Sequence, residues 1–166
     1  MKRPVPPSDI AQVPFHYDDM NHFLVNFLPA PELKEWIWET FIIKDAPLHN
    51  KEHEHLTYFD KDLFEVMWAT TGFEKAEKTV VGQCEKVMIN VGGWKKYRQE
   101  LQMLQWFGRV PTYIITIDAR YSQLCSDADF CALIEHELCH IGVKRDEDGE
   151  MLFSPTTGEP KLYLRG

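Results

Sequence analysis

One short segment of the chain has the residue types and the spacing of a metal site. The run His136-Glu137-Leu138-Cys139-His140 is an H-E-x-x-H motif. In a helix, side chains four positions apart lie on one face, so both imidazoles can reach a single zinc ion at about 2.0–2.1 Å. Zinc lowers the pKa of a bound water toward ~7, and Glu137 is placed to take its proton without being a ligand. The motif therefore predicts a zinc site with His136 and His140 as ligands and Glu137 as the general base.

The flanking residues predict the helix that this motif needs. Ser126 and Asp129 have the spacing of a capping box, and acidic residues suit the positive end of a helix dipole. The helix is expected to run to about Ile141, with Gly142 at its carboxyl end. A separate apolar stripe at spacings of three and four consists of Cys131, Ile134, Leu138 and Ile141. This context favours a metal site over the alternative of two surface histidines that bind nothing.

Two neighbours of the histidines are less suited to bind the metal. Cys139 points some 100° away from His140 on the helix, which favours a core or flanking position. Glu135 could orient a ligand, but a solvated side chain is the simpler interpretation.

The remaining pattern predicts an α+β fold in one domain. A proline-rich extended arm is expected over residues 1–14 and a single domain over residues 15–166. Apolar residues at helical spacing predict three further helices, over residues 31–43, 61–70 and 94–106. β-rich segments predict one strand, or two joined by a bend at Gly82, over residues 79–89, and single strands over 110–118 and 160–164. The polar segment 44–55 is expected to form a solvated loop.

Two of these helices carry more specific predictions. In the helix over 61–70, Asp60 is the expected amino-terminal cap and Gly72 the expected end. In the helix over 94–106, we expect Tyr97, Leu101 and Leu104 to face the core.

Composition and charge exclude several classes of protein. The 166 residues are 44% hydrophobic and 13% aromatic, which is ample material for a packed core and excludes wholesale disorder. No apolar run approaches the ~18 residues of a membrane helix, and we expect no secretory signal. The net charge of −8 disfavours broad binding to nucleic acid. The four cysteines form no C-x-x-C pair, so reduced thiols and a cytoplasmic location are expected.

Three segments together resemble those of the putative phage metallopeptidases, small zincin-like proteins that are themselves similar to SprT-like minimal zincins. The segments are Gly82-Gln83-Cys84-Glu85-Lys86-Val87, Tyr113-Ile114-Ile115-Thr116-Ile117 and Leu133-Ile134-Glu135-His136-Glu137-Leu138-Cys139-His140. The resemblance implies a small mixed sheet packed against helices, one of which carries the metal site. It also implies that a strand, for which residues 110–118 are the candidate, borders the cleft and pairs with an extended substrate.

The third metal ligand is left open. Catalytic zinc commonly has three protein ligands, and the resemblance implies a histidine shortly after the active helix. No histidine follows His140 in this sequence, so either the ligand lies beyond Gly166 or another residue supplies it. His16 and His22 have no helpful spacing. The other candidates are His49, His53 and His55, and the acids Asp146, Glu147, Asp148 and Glu150; solvated positions are the simpler interpretation for both groups.

Two functions remain in view. The preferred one is zinc-dependent hydrolysis of a peptide bond in a protein or peptide substrate. The alternative is a zincin-fold binding module of phage or prophage origin that engages a host protein with little or no catalytic activity. The sequence names neither the substrate nor the oligomeric state.

Overall fold

A four-stranded mixed sheet forms the centre of the protein. The structure is a computed structural model and describes residues 2–8, 10 and 25–166. The strands of this sheet are β1 (Phe27–Pro29), β2 (Phe64–Ala69), β5 (Gly82–Lys86) and β6 (Tyr113–Asp118), in the order β1-β2-β6-β5. β2 and β6 are parallel, whereas β1 and β5 run antiparallel to their neighbours. β6 is therefore an interior strand and β5 an edge strand.

Helices and two small hairpins surround this sheet. The helices are α1 (Pro31–Ile37), α2 (Gly93–Phe107), α3 (Ala119–Leu124) and α4 (Asp127–Cys139). A π-helical turn over Trp38–Ile42 continues α1, and 3-10 turns cover Lys51–Tyr58 and Lys61–Leu63. The hairpins pair β3 (Phe73–Lys75) with β4 (Lys78–Val80), and β7 (Ile141–Val143) with β8 (Leu162–Leu164). The mixed α+β class predicted from the sequence is confirmed.

The main core lies on one face of the sheet. Alternate residues of β6, namely Tyr113, Ile115 and Ile117, are fully buried together with Phe64 of β2. These side chains pack with apolar residues of α1 and α4 in a single cluster. Because side chains alternate across a strand, the intervening residues of β2, β5 and β6 point to the opposite face.

The predicted helix over residues 61–70 is wrong. Asp60 does cap, since its side chain accepts a hydrogen bond from the Asp62 amide, but it caps only one 3-10 turn. The chain then enters β2, in which all six residues are buried. A strand covered on both faces is mostly apolar rather than alternating, so its residues also satisfy the spacing of a helix. Gly72 instead lies in close contact with the Val80 carbonyl, where a Cβ has no room.

Most other predicted elements are present with shifted bounds. The first helix is confirmed. Of the two alternatives for residues 79–89, the structure has two strands, β4 and β5, which are separated just before Gly82. The strand over 110–118 is shortened to β6, and the short strand over 160–164 is β8. Gly142 does not cap α4 as predicted. It lies in β7, where a Cβ would be 2.8 Å from the Tyr163 ring. The helix over 94–106 is α2, but its predicted inward residues are exposed.

The prediction that residues 44–55 form a solvated loop is wrong for His53 and His55. Residues 51–58 form a 3-10 turn in which His53 and His55 are buried. His55 donates from Nε2 to the Ile141 carbonyl at 2.6 Å. Neither ring nitrogen of His53 has a hydrogen-bond partner among the residues described. Burial, with smaller effects of His55 and His49, lowers the pKa of His53 to about 4.

We expect the buried His53 to make the protein less stable in mild acid. Its pKa is about 6.5 in the unfolded chain and about 4 in the folded one, so the unfolded state binds the proton first. The free energy of unfolding should fall by up to about 3 kcal/mol as the pH falls from 6.5 to 4. Urea titrations at several pH values measure this slope. In His53→Leu the slope should flatten, and an unchanged slope would contradict the assignment.

The predicted division into an arm and one domain stays a prediction. Residues 2–8 contain no helix or strand, and residues 11–14 of the predicted arm lie outside the described part of the chain, as do His16 and His22. Arg3 nevertheless binds the junction of α3 and α4, donating to Asp127 at 2.7 Å and to the Ser122 side chain at 3.1 Å. No helix within the described ranges is long and apolar enough to cross a membrane.

Candidate metal centre

Helix α4 begins at the predicted cap. The Ser126 hydroxyl accepts a hydrogen bond from the Asp129 amide at 3.1 Å, which satisfies one of the free N–H groups of the first turn. Asp127 and Asp129 lie in this turn, near the positive end of the helix dipole.

The apolar face of α4 determines which residues point outward. Phe130, Ile134 and Leu138 are completely buried in the main core, which anchors the helix. Burial of three such side chains contributes roughly 1.5–3 kcal/mol each. The face that carries His136 and His140 is thereby turned away from the core, as the apolar stripe predicted.

The two histidines have the mutual geometry of ligands to one ion. Their Nε2 atoms are 3.3 Å apart, and the ring planes are at 87° to each other. Two nitrogens bound tetrahedrally at about 2.0–2.1 Å lie about 3.3 Å apart. The separation of the pair therefore matches that of two ligands to one tetrahedral metal ion.

The backbone of Arg165 orients His140. His140 Nδ1 donates to the Arg165 carbonyl at 3.1 Å, and the Arg165 amide donates to the His140 carbonyl at 2.7 Å. With its proton on Nδ1, the neutral ring keeps a lone pair on Nε2 for a metal. The sequence did not predict this contact, because Arg165 lies 25 residues after His140 and reaches it only through the pairing of β7 with β8.

Glu137 lies beside the two histidines but is buried. Its residue is only 2% exposed, and Oε2 has no hydrogen-bond partner in the described part of the chain. Burial raises the pKa of its carboxyl, and the nearby His140 and His136 oppose that shift. One potential ligand atom from each of the three residues lies within 4.8 Å of the others. An orphaned carboxylate oxygen beside two imidazoles is what a bound cation and its water would satisfy.

The edge strand β5 lies directly against Glu137. A Cβ on Gly82 would stand 3.1 Å from Glu137 Oε1 and 2.8 Å from a methyl group of Leu133. The absence of a side chain at Gly82 thus allows the strand to approach the carboxylate. The next residue of β5 on the same face of the sheet is Cys84, whose pKa is raised to about 12, mainly by burial and further by Glu137 and Glu85.

The strand predicted to border the cleft is the wrong one. The sequence favoured residues 110–118, but β6 is paired on both sides and has no free edge. Its neighbour β5 is the edge strand and lies beside Glu137. The sequence did not distinguish the two because strand order is a property of the sheet.

The other residues considered as ligands do not join the centre. Among residues 2–8, 10 and 25–166, the group of His136, Glu137 and His140 contains no fourth histidine, cysteine or acid. His55 instead bonds to the backbone at the end of α4. The remaining candidates that the structure keeps outside this group are His49, His53, Glu135, Cys139, Asp146, Glu147, Asp148 and Glu150. The third ligand stays unassigned.

Comparison with known proteins gives one match. A family model described as "Putative phage metallopeptidase" matches residues 34–166 of the chain. The matched region includes β2, β5 and β6 of the mixed sheet, and α4 with the hairpin of β7 and β8 that follows it. No curated protein and no solved structure matches.

Proposed function

The chain belongs to the putative phage metallopeptidase family, as its resemblance predicted, and we propose that it is a zinc-dependent peptidase with His136, Glu137 and His140 as its site. The family description implies a metal ion and a hydrolase of peptide bonds. The observation that carries the finer proposal is the 3.3 Å separation of the two Nε2 atoms beside a buried, unpaired carboxylate.

Zinc is the ion that suits these donors best. Imidazole nitrogen suits zinc, and the spacing of the histidines suits tetrahedral coordination. A bound zinc ion would polarise the substrate carbonyl and increase the acidity of a water. His136 and His140 would hold the ion, and the Arg165 carbonyl keeps the tautomer of His140 that can do so.

Glu137 has the position and the basicity of the general base. A carboxylate with a raised pKa is a better proton acceptor than an exposed one. Glu137 would take the proton of the attacking water as the C–O bond forms. It would then pass that proton to the leaving amine as the C–N bond breaks, which returns the carboxylate to its starting state.

The edge strand β5 is the proposed site of substrate binding, in a zincin-like arrangement. Its outer edge is not paired with any other described strand, so its N–H and C=O groups can pair with an extended peptide. A peptide aligned on β5 passes the carboxylate of Glu137, because Gly82 brings the strand against that side chain. The substrate is accordingly a segment of protein or peptide in extended conformation. The proposed location is the cytoplasm, where the thiols of the four cysteines would stay reduced.

One observation favours a second function. The described residues supply two histidines and one glutamate to the centre. With Glu137 as the base, only the two histidines are ligands, one fewer than the three of a common catalytic zinc site. A phage-derived binding module that retains the site but engages a host protein without cleaving it would need no third ligand.

Removal of the metal tests the proposal directly. Peptide cleavage should disappear on treatment with a chelator and return on addition of about one equivalent of zinc, because the histidines alone activate no water. A library of unstructured peptides, read by mass spectrometry, provides the substrates. Cleavage that survives with no metal detectable by elemental analysis would refute the proposal. Zinc binding without any cleavage would favour the binding module.

Gly82→Ala should lower peptide cleavage while leaving the metal in place. The added methyl group meets Glu137 and Leu133 and displaces the carboxylate or the strand, and a misplacement of about 1 Å can cost on the order of 10²-fold in rate. Gly92→Ala is the matched control, since a Cβ there meets nothing within 4 Å. Comparison of kcat for the two variants, with zinc content and Tm, measures the effect. Equal rates would show that the approach of β5 does not position Glu137.

A further inference from the structure

Helix α2 exposes an apolar stripe on its surface. Trp94 is 86% exposed, Tyr97 65%, Leu101 52% and Leu104 48%. The carboxyl end of the helix is held against the sheet, where the ring of Trp106 lies 6.1 Å from that of Phe27. Exposure of four large apolar side chains in one row is costly in water and typical of an interaction surface.

The spacing of this stripe fits another helix. Positions 94, 97, 101 and 104 follow steps of three, four and three, which is the seam of paired helices. These four positions are symmetric about position 99, so the steps have the same order from either end of the helix. An antiparallel pairing of two α2 helices therefore places Trp94 of one copy opposite Leu104 of the other, and Tyr97 opposite Leu101. Each pair joins a large aromatic ring with a smaller aliphatic side chain.

The charges of α2 favour the antiparallel orientation. Lys95, Lys96 and Arg98 lie in its first half, Glu100 is its one acid, and residues 101–107 carry no charge. In an antiparallel pair the basic half of one helix lies beside the uncharged carboxyl half of the other, near the negative end of its dipole. A parallel pair would bring the two basic halves together.

We propose that α2 is the contact between two copies of this chain, which form a symmetric antiparallel dimer. A second copy fits better than an anionic membrane surface, because the basic residues cover only the first half of α2 and its second half offers anionic lipid no positive charge. Trp106 and Met67 line a groove with Gln83 and Thr116, on the sheet face opposite the main core and α4. The dimer consequently leaves the histidine pair accessible.

The expected dimer is weak. A helix of 15 residues is about 22 Å long, and a contact of that size falls below the ~1,200 Å² of standard interfaces. Dissociation in the micromolar range is therefore expected. Sedimentation velocity of the full chain over about 1 to 200 µM covers this range.

Leu101→Glu tests the stripe, and Leu124→Glu is its control. Both leucines are largely exposed, but Leu124 ends α3 and does not belong to the stripe of α2. Leu101→Glu should raise the dissociation constant at least tenfold, whereas Leu124→Glu should leave it unchanged. A wild-type chain that is monomeric at 200 µM, or two variants with the same effect, would overturn the proposal.

Cross-linking tests the register. A mixture of Trp94→Cys and Leu104→Cys chains should cross-link through a short bismaleimide more than either variant alone, with the wild type giving the background of the native thiols. In one variant alone, the two new thiols lie ten residues apart along the pair, about 15 Å. Stronger cross-linking within a single variant would exclude the antiparallel register. If the wild-type chain is monomeric and cosediments with anionic phospholipid vesicles, the partner of α2 is a membrane surface and not a second copy.

Discussion

Replacement of Glu137 by glutamine is expected to reduce peptide hydrolysis by ~10²–10⁴-fold, the usual contribution of a general base. Glutamine keeps the shape of the side chain but accepts no proton. Because Glu137 is buried and Oε2 has no hydrogen-bond partner among the described residues, the exchange removes no known polar contact of that atom. Zinc content and Tm should therefore stay close to those of the wild type, so the loss would lie in kcat.

Glu135→Gln is the matched control for this experiment. Glu135 lies two residues earlier on α4, is partly exposed and does not belong to the histidine centre. The same chemical change there should leave kcat within about twofold, since surface substitutions rarely have large effects. If Glu137→Gln and the wild type cleave a peptide equally well, the assigned base is wrong. If Glu137→Gln loses its zinc, Glu137 binds the ion instead.

Replacement of His136 by alanine is expected to lower zinc affinity on the order of 10²-fold or more. A site that has lost one of two histidine ligands keeps too few donors to hold zinc tightly, and even supporting residues contribute 10–100-fold. His136 is exposed and does not belong to the main core, so the fold should persist without it. Competition with a chromophoric chelator measures the affinity, and circular dichroism checks the fold.

His49→Ala controls for the loss of a histidine outside the centre. Its ring contacts the Ile42 carbonyl at 3.1 Å, and it does not join the group around His136. Its zinc affinity should equal that of the wild type. If His136→Ala keeps the wild-type stoichiometry by elemental analysis, the H-E-x-x-H motif is not the metal site of this protein.

Local patterns were sufficient for α4 and for the motif on it. The Ser126 cap, the stripe of Ile134 and Leu138, and the two histidines at a spacing of four all act within one helix. Each depends on neighbours a few residues away, so a sequence contains the information directly. The strand β8 was predicted for the same reason.

Local patterns failed wherever burial depended on distant partners. The segment Phe64–Ala69 satisfies the spacing of a helix, yet it is the central strand β2 because β1 and β6 flank it and both of its faces are covered. His53 and His55 belong to a polar run, yet they are buried because that run packs beside the end of α4. In α2 the error is the reverse. Its apolar residues were expected to be buried, but they are exposed because the sheet covers only the carboxyl end of the helix.

The sequence by itself determined the chemistry of the candidate site and the helix that presents it. His136, Glu137 and His140 are brought together by helical geometry, which needs no other part of the chain. Only the tertiary structure decided what surrounds them: β5 rather than β6 at the free edge, Gly82 against Glu137, and the Arg165 carbonyl on His140. These contacts join residues 25 to 55 positions apart, and they depend on strand order and on hairpin pairing. Such pairing is selected by the burial of the whole sheet, which no local spacing in the sequence encodes.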